Sequence, residues 1–282
     1  REELFSILRD IWGYNSFRML KIYKDLAVNR SVTSISQGDI IETVISEVEN
    51  ALKGDSYRNV LLTSPTGAGK SILFQLSAIY LAEKYKLLTI VISPLVALMD
   101  DQVCNLQSKY RKVASLNGNK TADETADILR KTQNGDINIL YMSPELMLSH
   151  SLNSIIGDRR IGLVVIDEAH TVTTWGRDFR VDYWFLGDYL EKVRHGSYYS
   201  NAEKVNVPIL CLTATAVFGG NDDVIGDLQN SLQLVCNSEQ LYIGYVRRDN
   251  IEFIIRHPKK ASKSDKEEKI NLTAKEVVKS VN

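Results

Sequence analysis

Val164-Val-Ile-Asp-Glu-Ala-His-Thr-Val-Thr173 is a stretch in which an apolar run stops at two adjacent carboxylates. A short apolar run of this kind predicts a buried strand, which would deliver Asp167 and Glu168 to its carboxyl end. Upstream, Thr63-Ser-Pro-Thr-Gly-Ala-Gly-Lys-Ser71 has the composition of a loop that cradles phosphate. The two stretches together predict a site that hydrolyses ATP.

Around these stretches, short apolar runs alternate with helical patterns. The predicted strands are Asn59–Thr63, Leu88–Ser93, Val113–Leu116, Ile137–Tyr141, Gly162–Ile166 and Ile209–Thr213. The predicted helices between them include Ser71–Tyr85, Leu95–Lys109 and Thr121–Asn134. Strands that are apolar throughout and alternate with helices predict an α/β fold, with a mostly parallel sheet and helices on both faces. Ligands bind beyond the carboxyl ends of such strands, where both stretches fall.

The two ends of the chain differ from this central part. Residues 1–55 are predicted to be a helical lead-in, with helices Glu2–Trp12, Phe17–Val28 and Asp39–Leu52 and the polar stretch Asn29–Gly38 between the last two. Residues 56–256 are predicted to be the ATPase domain. Residues 257–282 are charged and weakly apolar, which is typical of a solvated linker.

Composition narrows the class of protein. The 282 residues carry a formal net charge of −1, so any contact with nucleic acid must come from a local groove. Cys104, Cys211 and Cys236 lack paired spacing, which argues against a zinc site or a disulfide framework and favours a reducing intracellular compartment, whether cytoplasm, nucleoid or nucleus. No stretch approaches the length of a membrane span.

The loop before the predicted helix Ser71–Tyr85 supplies groups that bind phosphate. Its glycines allow successive backbone N–H groups to point at phosphate oxygens, and the predicted cradle is Thr66, Gly67, Ala68 and Gly69. Lys70 is predicted to reach the β- and γ-phosphates, and the Ser71 hydroxyl to ligate Mg²⁺. Ser64 stands where the widest form of this motif has a glycine. The alternative is a glycine turn with an incidental lysine.

The two carboxylates suit two different roles in ATP hydrolysis. Asp167 is predicted to hold Mg²⁺ through water, and Glu168 to orient or deprotonate the attacking water. The alternative is that the two carboxylates only belong to a solvated turn after a strand. The presence of the phosphate loop upstream makes this a poor explanation.

Several motifs in a shared order resemble those of superfamily 2 helicases, and within them the RecQ-like group. The DEAH box of that family resembles Asp167-Glu-Ala-His170. Further similar segments are Ser93-Pro-Leu-Val-Ala-Leu-Met-Asp-Asp-Gln-Val103, Tyr141-Met-Ser-Pro-Glu-Leu146, Leu212-Thr-Ala-Thr-Ala216, Thr174-Trp-Gly-Arg-Asp-Phe-Arg-Val-Asp-Tyr183 and Arg247-Arg-Asp-Asn-Ile251. The similarity covers roughly Gln37 to Phe253.

This resemblance implies a RecA-like fold that uses ATP and Mg²⁺ to move on single-stranded DNA, with 3′-to-5′ unwinding by the complete enzyme. It implies that Thr213 and Thr215 couple hydrolysis to movement, with His170 as their contact. It also implies a DNA-sensing loop, whose candidate residues are Trp175, Arg177, Asp178, Phe179 and Arg180. Aromatic faces accept any base by stacking, and arginine adds charge attraction. The alternative for the two aromatic residues is that they belong to the core.

A motif for adenine recognition is interrupted. Trp12-Gly-Tyr-Asn-Ser-Phe-Arg18 resembles the RecQ motif, but Lys21 occupies the position where that motif has glutamine. Gln37 is the preferred candidate for adenine, either after an insertion or as part of a more general lead-in, and Arg18 and Tyr14 remain alternatives. For Trp12 and Tyr14 the competing explanation is packing of a helical cap.

The resemblance also implies a second RecA-like domain that closes over ATP with an arginine finger. Too few residues follow Phe253 to form one, so this partner is expected outside the chain, together with single-stranded DNA or a single-strand/duplex junction. The leading hypothesis is the first motor domain of a RecQ-like helicase, weakly active alone. The alternatives are a translocase on duplex DNA or RNA and a regulatory nucleotide-binding module. The presence of Glu168 disfavours the regulatory module.

Overall fold

A computed structural model of the protein describes residues 1–25, 29–172, 181–194, 206–215 and 223–245. The chain divides into a unit Arg1–Val246 and a unit Arg247–Asn282, and the second lies outside the described residues. None of the helices within the described ranges is both long and apolar enough to cross a membrane.

The described elements alternate along most of the chain. The helices are α1 (Glu2–Trp12), α2 (Gln37–Lys53), α3 (Lys70–Tyr85), α4 (Val96–Gln107), α5 (Ala122–Asn134), α6 (Pro144–Ser149), α7 (Leu152–Ile156), α8 (Val181–Arg194) and α9 (Val224–Ser231). The strands are β1 (Met19–Asp25), β2 (Asn29–Ser36), β3 (Val60–Thr63), β4 (Leu88–Ile92), β5 (Val113–Leu116), β6 (Ile139–Met142), β7 (Ile161–Ile166), β8 (Ile209–Thr213) and β9 (Leu241–Ile243).

Seven of these strands form one sheet in the order β5-β6-β4-β7-β8-β3-β9, and every pairing in it is parallel. Parallel neighbours need crossover connections, which the intervening helices provide. β3 and β7, the strands that precede the phosphate loop and the carboxylates, both pair with β8. The predicted α/β fold with a parallel sheet is confirmed.

Apolar side chains on both faces of the sheet explain why its strands are apolar throughout. On one face, Val91 and Val165 belong to the same buried cluster as Phe74 of α3. On the other face, Ile90 and Val164 belong to a second cluster. Successive residues of a strand point to opposite faces, so each strand contributes to both clusters.

The N-terminal segment corrects one prediction. The helices α1 and α2 are confirmed, but the predicted helix Phe17–Val28 is wrong, because β1 and β2 pair there as an antiparallel hairpin. β2 also occupies most of the stretch Asn29–Gly38, which was expected only to connect two helices. In β1 the buried residues Leu20 and Ile22 alternate with the exposed Met19 and Lys21 and the partly buried Tyr23. This period of two is that of a strand with one buried face.

Candidate active site

The phosphate loop lies between β3 and α3 and is held at its start by β8. Ser64 donates its backbone N–H to the Thr213 carbonyl oxygen over 2.9 Å. Gly67 and Gly69 have φ angles of 83° and 81°, in the left-handed region. Only glycine adopts this region at little cost, so the two glycines let the loop curl over the helix N-terminus. The curl is the backbone geometry that a phosphate cradle requires.

Lys70 is the first residue of α3, and its Nζ donates to the Ser64 carbonyl oxygen over 3.1 Å. Burial lowers the pKa of Lys70, while the charges of Glu168 and Asp167 act in the opposite direction. β3 and β7 both pair with β8, so the lysine after β3 and the two carboxylates after β7 lie at the same edge of the sheet. The two predicted halves of the site form one constellation.

Asp167 and Glu168 follow β7 directly but lie in different environments. Asp167 is only 4% exposed, and burial raises its pKa. Its Oδ1 accepts from the Glu168 backbone N–H and its Oδ2 from Gln102 Nε2, both over 3.0 Å. Glu168 has a φ angle of 48°, which is uncommon for a residue with a side chain, and its side chain is 23% exposed. One carboxylate is thus fixed and buried, and the other is partly open to solvent.

His170 connects Glu168 to the end of β8. Its Nδ1 lies 2.9 Å from Thr213 Oγ1 and 3.4 Å from Glu168 Oε2. Thr213 Oγ1 also accepts from the Thr215 backbone N–H over 3.2 Å. Burial lowers the pKa of His170. The structure therefore brings together His170, Thr213 and Thr215, the three residues that were expected to couple hydrolysis to movement, and places Glu168 beside them.

Gln37 lies against the phosphate loop and is 2% exposed. Its Nε2 donates to the carbonyl oxygens of Ala68 and Gly69, each over 3.2 Å, and its Oε1 accepts from the Arg18 backbone N–H over 3.1 Å. Arg18 Nη1 donates to the Gly67 carbonyl oxygen over 3.4 Å. The side chain of Gln37 thus supports the loop backbone, and its contact with adenine stays a prediction.

The hairpin β1–β2 occupies the residues that separate Arg18 from Gln37. It begins at Met19 and ends at Ser36, which are paired, so the residues that flank it are adjacent in space. Gln37 donates its backbone N–H to the Arg18 carbonyl oxygen over 2.9 Å. Tyr14 is 44% exposed, whereas Trp12 is partly buried against the core, as expected for cap packing.

Gln102 of α4 is a site residue to which the sequence assigned no role. It belongs to the segment Ser93–Val103, and its contact with Asp167 arises because β4 and β7 are neighbours in the sheet. A weak signal exists: Gln102 lies beside the buried stripe of α4, which contains Met99 and Val103. A polar residue at the margin of a buried helix face is a candidate for contact with a buried polar group.

The remaining predicted residues fall outside the described part of the chain. They are Trp175, Arg177, Asp178, Phe179 and Arg180, and their contact with DNA stays a prediction. Among the residues that are described, no group of three or more His, Cys, Asp or Glu side chains is arranged to hold a metal ion.

Comparison with known proteins places this geometry in a family. The profile of the family "DEAD/DEAH box helicase" matches residues 37–222, which include the phosphate loop and both carboxylates. The protein "ATP-dependent DNA helicase RecQ" of Haemophilus influenzae is 30% identical over 250 residues, or 89% of this chain and 33% of that protein. The protein of the same name in Synechocystis is 34% identical to this chain over 218 residues, or 77% of this chain and 38% of that protein.

The chain therefore spans about a third of the length of these relatives. Among solved structures, the Pyrococcus furiosus Hef helicase domain is similar at a TM-score of 0.46 and 21% identity, over 69% of this chain and 36% of that one.

Proposed function

This chain belongs to the DEAD/DEAH box helicase family, as a RecQ-like first motor domain, and we propose that it binds ATP with Mg²⁺ and single-stranded DNA. In the complete enzyme, hydrolysis would drive 3′-to-5′ translocation and unwinding. One observation carries the proposal: β3, which leads into the phosphate loop, and β7, which leads to Asp167 and Glu168, both pair with β8, so Lys70 and the two carboxylates lie at one edge of the sheet. A loop that only bound a nucleotide would not need both carboxylates beside its lysine.

The residues present fit ATP and Mg²⁺. When ATP binds, Lys70 Nζ would release the Ser64 carbonyl oxygen and donate hydrogen bonds to phosphate oxygens instead. The backbone from Thr66 to Gly69 would surround these phosphate oxygens. Mg²⁺ in nucleotide sites is held by one or two carboxylates together with phosphate oxygens and waters. Ser71 and the buried Asp167 would hold it here. When bound, Mg²⁺ neutralises charge on the phosphates.

The environments of the two carboxylates support different tasks. Asp167 is buried and fixed by two hydrogen bonds, which suits a metal-holding group. Glu168 is partly exposed, which suits contact with an attacking water. His170 joins Glu168 to Thr213 and would transmit changes at the ATP site to the segment after β8.

The surface that contacts DNA is proposed to include the aromatic-rich segment 174–183, which follows the DEAH box in sequence. Trp175 and Phe179 would stack on bases, Arg177 and Arg180 would contribute positive charge, and Asp178 belongs to the same proposed loop. The substrate would be single-stranded DNA or a single-strand/duplex junction. A second RecA-like domain would complete the ATP site, and the protein would act in the compartment that holds DNA.

The proposed domain arrangement keeps residues 1–55 as a lead-in that supports adenine binding through Gln37, with residues 56–256 as the ATPase domain and residues 257–282 as a linker. Leu4, Leu8 and Ile40 share one core cluster with Phe74 of α3, so the described lead-in packs onto the ATPase domain.

Steady-state ATP turnover tests the proposal. The chain would be assayed alone and with single-stranded DNA, duplex DNA or single-stranded RNA, and Lys70→Ala would serve as the blank. We expect slow, Mg²⁺-dependent turnover that disappears in Lys70→Ala, and single-stranded DNA as the most effective activator. Stronger activation by duplex DNA or RNA would favour the alternative, a translocase on those nucleic acids. Turnover that survives Lys70→Ala would contradict the assignment of the phosphate loop.

A further inference from the structure

Gln102 makes a side-chain contact with the buried carboxylate that was assigned to the metal. Its Nε2 donates to Asp167 Oδ2 over 3.0 Å, while Oδ1 of the same carboxylate accepts from the Glu168 backbone N–H. Asp167 is 4% exposed, so bulk solvent contributes little to holding the carboxylate in one orientation. Among the residues that the structure describes, the carboxylate is held by one backbone donor and by this one amide side chain.

The contact also fixes the orientation of the Gln102 amide. Rotating the amide by half a turn would place Oε1 against a carboxylate oxygen, which is repulsive, so Nε2 must face Asp167. Oε1 is then turned away from the carboxylate. It is buried and accepts no hydrogen bond from the described residues. A buried acceptor without a partner is uncommon in folded proteins and marks a place where a water or ligand belongs.

Packing alone does not explain a glutamine at this position. Its neighbours Met99 and Val103 form part of the buried stripe of α4, where an apolar side chain of similar length would fit. An apolar side chain would leave Asp167 Oδ2 buried without its donor, however. The polar ends of Gln102, rather than its volume, distinguish it from its neighbours.

We infer that Gln102 is a positioning residue that holds Asp167 for Mg²⁺ and whose Oε1 accepts a hydrogen bond from a water bound to that metal. The inference rests on the proposed ATP·Mg²⁺ site. Mg²⁺ keeps several of its waters when it binds to proteins, so a buried acceptor beside its carboxylate has a partner to accept from. Groups that hydrogen-bond to metal ligands typically change metal affinity or activity by 10- to 100-fold when they are removed.

The test compares Gln102→Met with Gln107→Met. Both glutamines belong to α4 and both donate a hydrogen bond from Nε2, but Gln107 donates to the Val113 carbonyl oxygen over 2.9 Å, away from the carboxylates. The measured quantity is the Mg²⁺ concentration that gives half of the metal-dependent increase in affinity for a fluorescent ATP analogue. Binding of Mn²⁺ to the nucleotide complex, followed by electron paramagnetic resonance, gives a second readout that needs no turnover.

We expect Gln102→Met to raise this Mg²⁺ concentration by about 10- to 100-fold. Its affinity for the analogue in EDTA is expected to match that of the unaltered chain, and Gln107→Met is expected to leave the Mg²⁺ dependence unchanged. Gln102→Asn, which keeps the amide on a shorter side chain, should behave like Gln102→Met and serves if that variant does not fold. An unchanged Mg²⁺ dependence in a folded variant at Gln102 would overturn the inference.

The same data separate this inference from the proposed function. Lys70→Ala should weaken nucleotide binding both with Mg²⁺ and in EDTA, whereas changes at Gln102 should affect only the metal-dependent part. If Lys70→Ala left nucleotide binding intact in both conditions, the proposed site itself would be wrong, whatever the behaviour of Gln102. If Lys70→Ala weakened binding while Gln102→Met and Gln107→Met had equal Mg²⁺ dependence, only the role of Gln102 would be refuted.

Discussion

Gly244→Ala is expected to lower both the stability of the domain and its affinity for ATP. Gly244 follows β9, and its backbone N–H donates to Thr63 Oγ1 over 2.8 Å, at the end of β3. On its other side it forms a bridge with Ile22 of β1. A Cβ at this position would lie 2.2 Å from the Thr63 carbonyl oxygen and 3.0 Å from Ser64 Cα. The phosphate loop begins at these two residues.

The expected loss of stability in Gly244→Ala follows from these contacts. Both close atoms belong to the backbone, so no side chain can rotate to relieve the clash, and β3 or the Gly244 segment must move by roughly 1 Å. Overpacking of this kind costs about 1–3 kcal/mol, and weakening the hydrogen bond to Thr63 costs about 1 kcal/mol more. A total of about 3 kcal/mol corresponds to a fall in melting temperature of about 6–12 °C for a domain of this size.

Thermal unfolding by circular dichroism and ATP titration would be measured on the same samples. Gly118→Ala is the matched control, because a Cβ at Gly118 meets nothing within 4 Å, and its effect should stay within about 0.5 kcal/mol. A Gly244→Ala protein with the melting temperature and ATP affinity of the unaltered chain would refute the argument. Equal destabilisation by Gly118→Ala would show that the loss is not specific to the clash.

Three other changes have defined outcomes. Glu168→Gln should bind ATP with nearly unchanged affinity but hydrolyse it at least about 100-fold more slowly in single-turnover assays; retained hydrolysis would mean that another residue positions the water. In a longer protein that includes the second motor domain, Trp175→Ala should abolish stimulation of ATPase activity by DNA and keep basal turnover, and intact stimulation would place Trp175 in the core. The third change is treatment of the folded chain with a thiol reagent, followed by mass spectrometry. The exposed Cys104 should be modified first, because Cys211 is buried and burial raises the pKa of Cys236 to about 11. Equal rates of modification at all three cysteines would contradict the described burial.

The parallel sheet could be predicted because its strands are covered on both faces. β5 and β8 have the predicted bounds, since each is a short, mostly apolar segment that has polar residues at or just after its end. The hairpin β1–β2 could not be recognised in the same way. Its first strand contains charged residues and has only one buried face, so its pattern over a few residues also fits a helix. β9 has three residues, and only its pairing with β3 makes it a strand.

The same difference between local and long-range contacts separates the site residues that the sequence predicts from those that it does not. Lys70, Asp167 and Glu168 follow from local motifs because each motif joins one strand to the segment that follows it. The contact of Gln102 with Asp167 depends on strand neighbours that are distant in sequence, and the contact of Gln37 with the phosphate loop depends on closure of the hairpin. For Gln102 the local pattern gives only the weak signal of a polar residue beside a buried helix face, and no local pattern gives the contact of Gln37 with the loop.

The central claim is that the phosphate loop and the two carboxylates form one ATP·Mg²⁺ site. Calorimetric titration of the chain with ATP, in Mg²⁺ and in EDTA, tests it most directly when Lys70→Ala and Asp167→Ala are measured alongside. We predict that Mg²⁺ strengthens ATP binding by the unaltered chain, that Lys70→Ala weakens binding in both conditions, and that Asp167→Ala removes only the strengthening by Mg²⁺. ATP binding of equal affinity in all three proteins, with no dependence on Mg²⁺, would contradict the claim.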